Sequence, residues 1–161
     1  ADSEELVRAE AYDTLSVYPD SQVAETLKQA AVTEPDDLAR YFALVSYGDV
    51  IQELAPGDAE QKAFFRSRLE REQAAVCRLG CEYALYQLGE PGALERILGY
   101  LDDPDYLVRC RAVCTLAEIA DEENRGRILE AVRGRREKEK AAPVRERMDE
   151  LVGREKKSIT D

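Results

Sequence analysis

The stretch "DPDYLVRCRAVCTLAEIAD", residues 103–121, opens like a turn and then runs on as an apolar stripe with one arginine near its start. Near the N-terminus the sequence reads "SEELVRAEAYDTLSVYPD", residues 3–20, which is almost the same phrase. Aligned on the arginine, the phrase recurs five times. Arg8 follows "SEELV", Arg40 follows "EPDDLA", Arg78 follows "QAAVC", Arg109 follows "PDYLV" and Arg145 follows "KAAPV". The intervals are 32, 38, 31 and 36 residues, so the repeats span nearly the whole chain.

Other columns of the alignment agree. Six residues before each arginine stand Asp2, Glu34, Glu72, Asp103 and Glu139, all acidic. With 34 acids among 161 residues, agreement at all five positions is not what chance placement produces. Three residues after the arginine stand Ala11, Ala43, Cys81, Ala112 and Met148; seven after stand Leu15, Tyr47, Leu85, Leu116 and Val152. Spacings of three, four and seven trace one face of an α-helix. Each arginine phrase is therefore read as the second helix of a helix pair, near residues 4–18, 36–54, 72–88, 105–120 and 141–153.

Between these phrases lie the first helices. Ser21–Val32 and Asp58–Glu70 begin on capping residues, Pro91–Leu101 begins with proline in its first turn, and Asn124–Lys138 is the last. "YPDS", "TEPDD", "APGD", "GEPG" and "LDDPD" are the turns. No stretch alternates strictly as a strand would. Helix pairs repeated at this period build an all-α solenoid, read here as one domain over residues 1–161.

On these residues the chain resembles the HEAT repeat family, in particular the short bacterial-style HEAT-like repeats also seen in phycobilin lyases. The resemblance rests on "DDPDYLVRCRAVCTLAEIAD" and its four weaker copies. It implies a right-handed α-α superhelix of about five pairs. It also implies a structural ladder between neighbouring repeats, made by Asp2, Glu34, Glu72, Asp103 and Glu139 with Arg8, Arg40, Arg78, Arg109 and Arg145. A partly buried arginine needs a carboxylate, and a row of such pairs sets the stacking register. The fifth repeat departs from the pattern with "KEKAAP" and "VGREKK" and is expected to act as a polar cap. In the first repeat no first helix precedes Arg8, so the sequence either begins inside a repeat or caps the stack with one helix.

Composition narrows the function. Histidine is absent, which removes Ser-His-Asp and Cys-His catalysis, histidine acid–base chemistry, the His–Glu iron sites of HEAT-like hydroxylases and most zinc sites. Four cysteines are too few for a disulfide scaffold and point to a reducing, cytoplasmic setting. No apolar run approaches the roughly 18 residues of a membrane span, and no secretory signal is read. Net charge is −11, with 23 acidic and 11 basic groups in residues 1–120. An acidic body repels nucleic acid and anionic membrane and favours basic partners.

Individual motifs carry little chemistry. Cys77 and Cys81, and Cys110 and Cys114, are each four apart. The two pairs are offset by two positions in the alignment, about 200° around a helix, so they do not converge on one zinc and read as packing residues. "DDPD" and "DEEN" lack the spacing, glycine and distal glutamate of a calcium loop. "RGRREKEK", residues 133–140, is interleaved with glutamates and has no aromatics, so it reads as a solvated helix face. Catalytic residues, metal ligands and cofactors are not assigned.

One surface stands out. Taking the Ala112 direction as core, the positions two before and two after point away; they hold Tyr41 and Val45, Leu79 and Tyr83, and Cys110 and Cys114. Tyr86 joins this side, and Glu10, Asp13, Asp49 and Glu82 surround it. The resemblance implies that second helices line the concave face; an acidic, tyrosine-bearing groove there would bind a basic protein or peptide, with Tyr41, Val45, Leu79, Tyr83 and Tyr86 as anchors and Asp13 and Asp49 as attraction. The competing reading is that this side packs against neighbouring helices. Three other functions remain open: an immunity-type inhibitor of a basic toxin, a segment of a larger solenoid scaffold, and a lyase-related subunit.

Overall fold

Four aspartates decide where helices begin. Asp20, Asp36, Asp58 and Asp105 each accept a hydrogen bond from a backbone N–H two or three residues on, satisfying a donor that the first turn leaves unpaired. The computed structural model describes the backbone of residues 3–158 and the side chains of residues 4–153. Asp2 lies outside the described residues. The helices are α1 (Ser3–Leu15), α2 (Ser21–Thr33), α3 (Asp37–Leu54), α4 (Ala59–Arg71), α5 (Ala75–Gln87), α6 (Ala93–Gly99), α7 (Tyr106–Glu118), α8 (Arg125–Arg136) and α9 (Ala142–Ser158), with a 3₁₀ turn at Tyr100–Asp102. No strand occurs among the described residues.

The helix pairs thus fall where the repeat places them, with shifts at the ends. Asp20, not Ser21, is the cap of α2, because its carboxylate reaches the N–H groups of both Gln22 and Val23. Pro91 stands in a turn before α6, and α6 is short, closing in the 3₁₀ turn. At Gly57 and Gly89 the chain turns through positive φ, 73° and 74°, where a side chain would clash with the backbone.

The single domain read over residues 1–161 resolves by its contacts into two compact units, Ala1–Leu94 and Glu95–Asp161. In the first, α3 lies against α1, α2 and α5, and α5 also packs on α4. Three neighbours leave α3 little solvent face, and Ala39, Tyr41, Ala43, Leu44, Val45, Tyr47, Val50 and Ile51 are all buried. Tyr47 sits among Phe64 and Phe65, with ring centroids 5.4 and 5.3 Å away. In the second unit α9 packs on α7 and α8, and Ala112, Val113, Leu116, Ile128, Leu129, Val132, Val144 and Met148 form the core.

Candidate interaction surface

The arginine of each complete rung reaches forward to the acid of the next repeat. Arg8 donates to Glu34 through Nε and Nη2, at 2.9 and 3.0 Å. Arg40 Nε donates to Glu72 at 3.2 Å. Arg109 donates to Glu139 at 2.7 and 2.8 Å. The same arginine also ties down its own turn: Arg40 Nη1 donates to the carbonyls of Glu34 and Pro35, and Arg109 Nη1 to those of Asp103 and Pro104. The guanidinium therefore clamps two successive turns at once, using the five-donor fork that lysine lacks.

Among the described residues, three arginines of the expected ladder pair forward in this way. The last arginine, Arg145, is exposed. Arg78 is exposed as well. The rungs that form are strongly polarised. Arg8 holds the Glu34 carboxyl below the usual carboxylate range, against burial. Arg109 pulls Glu139 down to about 2, again against burial, with help from the N–H of Ala141.

The tyrosine groove is not open. Tyr41, Val45, Leu79 and Tyr83 are buried, the last two at 0% and 1% exposure, and Tyr86 is half-buried. Their side of α3 and α5 faces other helices: Gly80 of α5 comes so close that a Cβ there would stand 3.2 Å from the Tyr41 ring. The argument from one core direction failed because an inner helix of a stack has several buried faces. Glu82 is buried too, and Glu10 and Asp13 are exposed on α1. Cys77 and Cys81 are sealed in the core, while Cys110 and Cys114 are half-buried; none is in a disulfide.

Asp49 sits in a polar niche inside the first unit. Its Oδ1 accepts from the Tyr83 hydroxyl at 2.6 Å, and Gln87 Nε2 donates to the same hydroxyl at 2.8 Å. Burial raises the Asp49 carboxyl above its ordinary range; the Tyr83 and Gln87 hydrogen bonds oppose this, and the charges of Asp13 and Glu53 add to it. A carboxyl raised in the folded state opposes folding once the pH exceeds its ordinary value. Asp49→Asn keeps an oxygen for Tyr83 and removes the charge. Urea unfolding at pH 7 should show a gain on the order of 1 kcal/mol, the size of one good stabilising substitution. The gain should vanish below the ordinary aspartate range, where both side chains are neutral; a loss at pH 7 would contradict the placement.

Four of the six large exposed apolar groups of the first unit lie on α1 and the turn after it; the other two, Val32 and Leu54, stand at the ends of α2 and α3. Leu6, Val7, Val17 and Tyr18 are 50%, 65%, 70% and 63% exposed. Glu4, Glu10 and Asp13 are exposed among them. Sequence reasoning missed this surface by ranking the middle repeats above the first. Comparison with known proteins adds no relative: no family model, no curated protein and no solved structure matches the chain.

Proposed function

We propose that this chain is a HEAT-like helical-repeat module that works by binding rather than catalysis, and that it recognises a basic protein through its first unit. The observation that carries this reading is where the charge sits. Residues 1–94 hold 18 acidic and 8 basic groups, net −10, while residues 95–161 hold 16 and 15, net −1. Several of the eight cations are already committed: Arg8 to Glu34, Arg40 to Glu72 and Asp37, Arg66 to Glu90, Arg68 to Glu72. The field at the surface of this unit is therefore strongly negative, which speeds encounter with a cationic surface and repels acidic ones. The arginine clamps and helix pairs support a stacked-repeat scaffold of the solenoid kind, whose use is display of a surface.

Affinity capture from cells that carry the gene, in low and high salt, tests this. The expected result is a partner with a high isoelectric point, retained by the native chain in low salt and lost when Glu10 and Asp13 are both changed to lysine. A captured nuclease that loses activity on binding would match the immunity variant of the same idea. An acidic partner, or one held equally by the charge-reversed chain, would end the reading.

A further inference from the structure

The repeat alignment can be read against burial, column by column. One column lies just before the arginine, and others three, six and ten residues after it; the steps of four, three and four make a single helical stripe. In the second repeat the stripe is Ala39, Ala43, Ser46 and Val50; in the third it is Cys77, Cys81, Ala84 and Leu88. In the fourth it is Val108, Ala112, Thr115 and Ile119, and in the fifth Val144, Met148 and Leu151. Every one of these residues is buried. In the first repeat the same stripe is Val7, Ala11, Thr14 and Tyr18, and every one is exposed.

In the third repeat a helix covers the stripe. Ala84 of α5, for example, lies so close to Gly48 of α3 that a Cβ on that glycine would stand 2.7 Å away. The α1 stripe is a mixed surface: Val7 and small Ala11 on the helix with Leu6 beside them, and Val17 and Tyr18 in the turn that follows. Small residues let a second helix approach closely, and the apolar residues reward it for doing so. Around it, α1 carries Glu4, Glu5, Glu10 and Asp13, and its one arginine among the described residues is held by Glu34.

We infer that the exposed stripe of α1 is an open helix seat, and that it takes an amphipathic helix with basic flanks supplied by a partner protein. This rests on the basic-partner reading above for the charge of the occupant, and on the repeat geometry alone for its helical form. The occupant lays apolar residues at helical spacing over Val7, Ala11 and Tyr18 and sets lysines or arginines against Glu10 and Asp13.

The probe is a labelled peptide with the sequence of residues 124–138, in which Ile128, Leu129 and Val132 share one face among six basic residues. Its two glycines are replaced by alanine to favour the helix. Its control is a scramble that spreads the apolar residues around the axis. Fluorescence anisotropy with the full chain should show saturable binding of the probe and not of the scramble. Val7→Asp combined with Ala11→Glu should abolish it; Glu10→Lys with Asp13→Lys should weaken it at least tenfold and flatten its salt dependence. Circular dichroism of the variants checks that they fold, because all four positions are exposed. Loss in the first variant with no change in the second keeps the seat and removes the basic-partner reading. Loss in the second with no change in the first does the reverse. Absence of saturable binding, or a dimer in sedimentation that Val7→Asp dissolves, overturns the proposed occupant.

Discussion

Replacing Arg109 with alanine is expected to cost about 3–5 kcal/mol, because it leaves a buried carboxylate without its counter-charge. The Glu139 side chain is fully buried; after the change it retains the Ala141 N–H at 2.8 Å and Arg135 at 3.7 Å, neither of which replaces a two-pronged guanidinium. The carbonyls of Asp103 and Pro104 lose their donor in the same step. The pH dependence distinguishes this from simple loss of packing. In the native chain Glu139 titrates near 2. It therefore adds stability above the ordinary carboxylate range, and that stability drains away as the pH falls towards 2. In the variant the buried carboxyl titrates above its ordinary range, so acid relieves the damage. The stability gap between the two chains should be large at pH 7, begin to narrow where the variant's carboxyl titrates, above the ordinary carboxylate range, and go on narrowing towards pH 2, as read by urea unfolding. The double variant Arg109→Met, Glu139→Leu should recover part of the loss at pH 7, since no buried charge is left without its partner, although the carbonyls of Asp103 and Pro104 and the N–H of Ala141 still lose theirs. A gap under about 1 kcal/mol, or one that does not change with pH, would mean that the clamp is not what holds these turns together.

The same clamp shows what the sequence makes legible. An acid and an arginine six residues apart could be seen to recur, and the helices fell where that recurrence put them. The direction of pairing was harder, because the residues that bond are not the ones that align within a repeat. Arg40 touches the backbone of its own turn acid, Glu34, and the side chain of the next, Glu72. The tyrosine face failed for a related reason. A helical wheel assigns one inside and one outside, but α3 has three helical neighbours, and Tyr41 and Val45 face them. Burial in a stack depends on how many helices surround a given one, which position in the chain decides and local pattern does not. The first repeat makes the converse point: Val7 and Ala11 carry the same pattern as Val108 and Ala112, yet only the latter pair is covered.

Gly48 offers the second large effect, and it acts through shape alone. The α3–α5 contact closes on this residue: a Cβ there would lie 2.7 Å from the Ala84 Cβ and 2.9 Å from its Cα. The second distance matters more, since a backbone atom cannot rotate away. Gly48→Ala should destabilise by about 1–3 kcal/mol through overpacking, even after the roughly 1 kcal/mol that alanine returns as a better helix former. Gly48→Val adds two more methyl groups at the same point and should exceed that range, enough to remove much of a marginal chain's stability. Ala84→Gly in the Gly48→Ala background removes the nearer contact and leaves the Cα, so rescue should be partial. Gly134 in α8 is the control: nothing stands within 4 Å of its Cβ position, and Gly134→Ala should stabilise by about 0.5–1 kcal/mol. Thermal unfolding of the four variants separates the cases. If Gly48→Ala raised the melting temperature as Gly134→Ala does, the two helices could not meet backbone to backbone at Gly48, and the packing of the whole first unit would have to be redrawn.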